Sequence, residues 1–299
     1  MSNFFNQRVK TEKSLKREIK AAYKRVANKY IKRLATVNPD TLTYEYLRQS
    51  AKYLEKEYKQ LTRELNKTVE KNIKKTVEGY TQSQLELYTS LCPVISKSWE
   101  DMFVRINSIV LNQIVSGNMY KDKIKLSSRL WGNNKETIKT INLILTDGFT
   151  SKKNSKDIAK DLEVFVNPDY LKEYELFTIH PKSKNKIDFS AYRLANTYIN
   201  HAYQTATKEC AKHNPFVETI TWVSGTDGRV CDICASRDGQ QFKKNEVPLD
   251  HPLGRCTLIT DVGDLDQVAK ELKDWVNGKP NTGLDDWFKA YDVNVNKVV

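Results

Sequence analysis

The sequence predicts a mainly α-helical chain with a long N-terminal helical hairpin and a small β-rich module near the C-terminus, an α+β arrangement overall. Three observations predict it. Apolar residues recur at steps of three and four over most of the first 214 positions. Gly and Pro, which break helices, number only 11 and 8 among 299 residues. After Asn214-Pro215 the pattern changes to short β-prone runs separated by Asp-Gly turns.

Leu15, Ile19, Tyr23, Val26, Tyr30 and Leu34 form one apolar stripe, so residues from about 4 to 37 are expected to be an amphipathic helix. Lys10, Lys13, Arg17, Lys20 and Lys24 run beside the stripe as a basic face. Asn38-Pro39-Asp40 breaks the pattern, because proline disfavours helix in the residue before it. Thr41 or Thr43 is placed to cap a second helix. Its stripe is Leu54, Tyr58, Leu61, Leu65, Val69, Ile73, Val77 and Tyr80, with no helix breaker before Gly79. Roughly 35 to 45 residues give about 50–65 Å of helix. Two long helices joined by a short turn make an antiparallel hairpin or a coiled coil with a partner. Steps of four outnumber those of a strict 3.5 repeat, which favours packing within the chain.

Further helices are expected at 99–115, 135–146, 156–165 and 190–213, with turns at 118–133 and loops at 167–169 and 180–183. The last of these helices carries Leu194, Tyr198, His201, Ala202, Thr205 and Cys210 along one side. Residues 219–223 alternate as a strand, and short helices follow at 265–276 and about 285–291. The division expected is a basic long-helix hairpin (1–90), a helical domain (91–214), the β-rich module (215–264) and a tail (265–299).

With 39% hydrophobic and 29% charged residues and a mean hydropathy of −0.63, the chain reads as soluble and folded. No apolar run reaches the length of a membrane span; the best, 106–115, is interrupted by Asn107, Ser108, Asn112 and Gln113. The first residues lack the apolar segment of a secretory leader. Five cysteines, an odd number, then point to synthesis in a reducing cytoplasm rather than to a disulfide framework. Residues 1–75 hold 20 Lys and Arg against 8 Asp and Glu, an excess of 12 that equals the net charge of the whole chain. Such asymmetry points to an acidic partner, either DNA or a protein surface, met through the basic face.

Cys231-x2-Cys234, sixteen residues, His251, four residues and Cys256 make the most informative cluster. Two residues between thiols let a tight turn aim both sulfurs at one ion, and a second pair from a later loop completes a tetrahedron. Thiolates and imidazole together favour Zn2+, and a module of about 48 residues has little core of its own. Four protein ligands make the site structural, with no open position for water. The bland alternative is buried thiols and a loop histidine. A redox Cys-x2-Cys is a further alternative, although no thioredoxin-like strand-to-helix context surrounds it. Cys92 and Cys210 lie in helical stretches as ordinary thiols. No H-E-x-x-H, G-x-S-x-G or P-loop pattern is present, so no enzymatic activity is expected.

Trp222, Thr226-Asp227-Gly228-Arg229-Val230-Cys231-Asp232-Ile233-Cys234, Asp238-Gly239 and His251-Pro252-Leu253-Gly254-Arg255-Cys256 together resemble the signature of the phage Mu protein F-like, or phage head morphogenesis, family. The close resemblance covers about 35 residues; 98–214 is similar in pattern only. It implies a low-copy minor head (capsid) protein near the portal, acting in head morphogenesis, DNA packaging or genome delivery. The implied partners are portal, capsid or scaffolding proteins and phage DNA. The implied location is the virion, in the head interior or near the portal, after synthesis in the host cytoplasm. Two departures stand out. Gly254 takes a position where members often have a cysteine, leaving Cys256 as the candidate fourth ligand. Asn196, Thr197 and Tyr198 stand where many members read Arg-Thr-Glu.

Within the module, Asp227 and Asp238 are expected to make turns through side-chain to backbone hydrogen bonds, with Gly228 and Gly239 allowing positive φ. Arg229 and Arg255 either support the site or face DNA, and Trp222 is either a core anchor or a base-stacking platform.

Overall fold

The two apolar stripes of the N-terminal region wind into α1 (Ser2–Ala35) and α2 (Tyr44–Leu91). The computed structural model describes residues 2–35, 44–151, 153, 157–158, 161, 189–225 and 230–291. The expected break at 38–40, the caps at Thr41 or Thr43, the loops at 167–169 and 180–183, and most of the helix expected at 156–165 lie outside these residues.

α2 is longer than its stripe predicts, at 48 residues. Gly79 does not end it: Val77 and Tyr80 are buried beside it and offset the roughly 1 kcal/mol that a helical glycine costs. The helix stops where Pro93 excludes helix from Cys92, whose backbone is extended (φ −149°, ψ 92°). A single 3₁₀ turn, Pro93–Ile95, leads into α3 (Ser96–Val115).

α4 (Leu126–Thr150) begins inside the stretch expected to be turns. Leu126 and Leu130 are buried. Asn134 bonds other side chains, Tyr23 and Thr62, and so does not compete for local backbone groups as a turn asparagine does. α5 (Phe189–His213) also departs from expectation. Every residue from Ala195 to Ala211 except Lys208 is buried, so the one-sided stripe is a helix enclosed on all sides.

The chain divides into two compact units, one of Met1–Val9, Asn72–Ile114 and Thr197–Val299, the other of Lys10–Lys71 and Val115–Asn196. In the second, α1 and α2 form an intrachain antiparallel hairpin. Arg25 meets Glu64 at 2.9 Å, Lys29 meets Glu57 at 2.8 Å, and Arg33 stacks over Tyr53. Exposed ion pairs contribute little; the buried Leu15, Ile19, Tyr23, Leu54, Tyr58 and Leu61 hold the hairpin.

In the first unit, Trp99 of α3 lies against Tyr88 (centroids 4.3 Å apart) and against Trp287 (4.1 Å). Trp287 belongs to α8 (Thr282–Tyr291), which follows α7 (Leu265–Val276). Strands β1 (Thr219–Val223), β2 (Gln241–Lys243) and β3 (Thr257–Asp261) form an antiparallel sheet in the order β2-β1-β3. The sheet alternates as a half-buried strand must. Ile220, Trp222 and Leu258 point into a core shared with Ala211, Val217, Val247, Cys234 and Cys256. Thr219 and Thr221 donate to Asp261 on the opposite face. The short α6 (Asp232–Arg237) connects β1 to β2. No helix among the described residues is long and apolar enough to cross a membrane.

Candidate metal centre

Cys231 immediately precedes α6 with extended backbone (φ −79°, ψ 160°), and its carbonyl accepts the first helical bond from Ala235 N at 2.8 Å. The Cys-x2-Cys segment is therefore a helix start rather than a free turn. This directs Cys234 into the core and leaves Cys231 at the surface. Ser224, just beyond β1, fixes α6 in place: its hydroxyl donates to Cys234 O at 2.6 Å, and its amide donates to Asp238 Oδ1 at 2.7 Å. The Asp238 carboxylate thus bridges two segments instead of closing its own turn. Gly239 has the positive φ expected (+73°) and donates to Trp222 O at 2.9 Å.

The second arm is the loop before β3. Gly254 N donates to His251 O at 2.8 Å, and Leu253 takes a left-handed conformation (φ +62°) to close the turn. α5 holds this loop with a seam of polar side chains spaced three and four residues apart, Thr197, Asn200, His201, Gln204 and Lys208. Thr197 Oγ1 accepts from Leu253 N, His201 Nε2 bonds Asp250 O, Gln204 Oε1 accepts from Asp250 N, and Lys208 Nζ donates to Val247 O. Of these five, only His201 lies on the side singled out from sequence (Leu194, Tyr198, His201, Ala202, Thr205 and Cys210). The 3–4 spacing of Thr, Asn, His and Gln was the signal that could have found the seam.

The two arms bring the expected ligand residues into two overlapping groups rather than one. The ligand atoms of Cys231, Cys234 and His251 lie within 4.8 Å of one another, as do those of Cys234, Asp250 and Cys256, so Cys234 joins the two groups. Cys231 Sγ and His251 Nε2 are 3.4 Å apart. A tetrahedral ion about 2.3 Å from sulfur and about 2.0–2.1 Å from nitrogen separates such a pair by roughly 3.5 Å. His251 Nδ1 lies 3.0 Å from Pro252 O. A carbonyl can only accept, so the proton sits on Nδ1 and the Nε2 lone pair is available for a metal. The cluster is compatible with a metal ion, with Cys256 joined to it through Cys234.

The amide N–H of Cys234, in the first turn of α6, lowers the Cys231 thiol below its ordinary pKa. Burial raises Cys234 and Cys256. For His251, burial acts downward, but the Pro252 carbonyl, Asp250 and Cys231 outweigh it and raise the imidazole. Trp222 is fully buried as a core anchor, with the Arg237 guanidinium 5.2 Å above its ring. Its indole N–H has no acceptor among the described residues and is placed to lower the Cys256 pKa against burial. A thiolate at Cys256 would give that donor its partner.

Arg255 is exposed, while Asp227, Gly228 and Arg229 lie outside the described residues. On α1, Lys10, Lys13, Arg17 and Lys24 are exposed and Lys20 is half-buried. Asp250, missed from sequence, is the buried residue that the two arms share. Comparison with protein-family models, with curated proteins and with solved structures finds no match to this chain.

Proposed function

We propose that the chain is a bacteriophage minor head protein, present in few copies near the portal and acting in head morphogenesis, DNA packaging or genome delivery. In this reading Cys231, Cys234, His251 and Cys256 hold a structural Zn2+. The observation that supports it is the ordered motif from Trp222 to Cys256, whose two halves meet with Cys231 Sγ 3.4 Å from His251 Nε2. Bound zinc would cross-link the start of α6 to the loop before β3, stapling a module whose sheet has only three short strands. A shell of four protein donors leaves no place for a reacting water, so the centre is structural rather than catalytic. Portal, capsid or scaffolding proteins are the partners this role requires, and the virion is the location. Mass spectrometry of purified virions, before and after genome ejection, tests it. The chain should be found at a few copies per head; its absence from virions would contradict the proposal.

A second reading, compatible with the first, is DNA binding by α1. Lys10, Lys13 and Arg17 are exposed and carry no ion pair among the described residues. Further along the helix, Arg25, Lys29 and Arg33 are engaged by α2 through Glu64, Glu57 and Tyr53. Lys10 to Lys24 spans about 21 Å at 1.5 Å per residue, a length that matches several successive phosphates. Filter binding with duplex DNA across a salt series tests this, and binding indifferent to salt would contradict it.

A further inference from the structure

Asp250 is the residue between the two arms of the metal centre whose chemistry the ligand set leaves unexplained. Its side chain is completely buried. A buried carboxylate is costly unless hydrogen bonds replace its water. Here four donors reach its two oxygens while Cys234 is a thiol, and three remain once Cys234 ligates as a thiolate. His251 N donates to Oδ1 at 2.8 Å, and the Cys234 thiol lies 3.6 Å from the same oxygen. Cys256 N and Asn200 Nδ2 each donate to Oδ2 at 3.0 Å. Two of these donors are the backbone amides of the ligand residues of the second arm. α5 holds the Asp250 backbone from both sides, through Gln204 and His201.

Gly254 completes the arrangement. A Cβ built on Gly254 would lie 2.0 Å from Asp250 Cγ and 2.0 Å from Oδ2. The carboxylate cannot swing aside without giving up its donors, so residue 254 must lack a side chain. The glycine that removes one potential ligand is thus the residue that admits the carboxylate. Asparagine would not replace it, because its amide presents one acceptor oxygen and turns an NH2 group toward other donors.

We infer that Asp250 is the positioning residue of the metal centre: by binding the amides of His251 and Cys256 together, it presents their side chains as a pair to the Cys231–Cys234 helix start, and Gly254 is its obligatory neighbour. This rests on the reading of those four residues as metal ligands. In this assignment Asp250 acts through the ligands, because each of its oxygens accepts the backbone amide of a ligand residue; the cobalt spectrum distinguishes this from direct ligation.

Full-length protein, Asp250→Asn and Gly254→Ala are compared by competition of Zn2+ with a chromophoric chelator. The cobalt-substituted spectra and the thermal midpoints of the metal-free proteins are recorded alongside. Both variants should bind zinc about 10- to 100-fold more weakly, the usual cost of losing an outer-shell partner. The thiolate-to-cobalt charge-transfer intensity should be retained, while the d–d envelope changes shape. A purely scaffolding role would lower the metal-free midpoint and leave that envelope unchanged. Equal affinity and an unaltered envelope in both variants would overturn the inference. So would a five-coordinate cobalt spectrum in the wild type that turns tetrahedral in Asp250→Asn, since Asp250 would then be a ligand. If the wild type takes up no metal, the ligand reading itself fails, and that result is distinct from either of the others.

Discussion

The Tyr23 hydroxyl donates to Asn134 Oδ1 at 2.5 Å across 111 positions of sequence, and Asn134 Nδ2 donates in turn to Thr62 Oγ1 at 2.7 Å. Thr62 then donates to Tyr58 O at 2.8 Å. This buried chain of donors joins α1, α2 and α4 in a setting otherwise lined by Leu, Ile and Tyr.

Tyr23→Phe removes one donor and leaves Asn134 Oδ1 buried without it, which costs about 1–3 kcal/mol. Urea unfolding of the variant should show a lower midpoint with an unchanged slope. A midpoint equal to wild type would mean that the network contributes nothing to stability.

The hairpin is the part of the fold most legible from sequence, because its stripes of Leu, Ile, Val and Tyr face one partner at a time. Reading failed where tertiary contacts override local preference. The stretch 118–133, read as turns, is helical from Leu126 onward, where Leu126 and Leu130 are buried, and α2 runs on to Leu91 beyond the roughly 35 to 45 residues its stripe suggests. The metal-ligand candidates were legible because four Cys and His residues fall at a spacing that little else requires. Asp250 was not, since its partners at Asn200, His201 and Gln204 lie about fifty positions away and only folding brings them to it.

Burial lowers the pKa of His201, although the Asp250 carbonyl opposes this; burial likewise lowers His213, whose Nδ1 meets the Tyr291 hydroxyl at 2.6 Å. In the unfolded chain each histidine takes up a proton near pH 6.5, while the folded protein resists until lower pH. The unfolded state therefore binds more protons below about pH 6.5, and stability falls as pH drops through that window. His201→Gln should flatten this dependence. Thermal midpoints between pH 7 and 5, taken with chelator present, should converge for the two proteins as the pH falls; parallel curves would refute the assignment.

Replacing Lys10, Lys13 and Arg17 together with Gln keeps α1 helical, since Gln and Lys have similar helix propensity. If these residues neutralise phosphates, duplex DNA affinity falls and the slope of log K against log salt becomes shallower by about 3. An unchanged slope would assign DNA binding to another surface. Loss of binding with altered helicity would implicate folding instead, so circular dichroism accompanies the titration.

The most direct test of the metal centre is the zinc content of purified full-length protein beside Cys231→Ser and His251→Ala. The arrangement of Cys231, Cys234, His251 and Cys256 predicts one zinc per wild-type chain and a marked loss in both variants. Equal zinc in all three proteins, or none in the wild type, would contradict it.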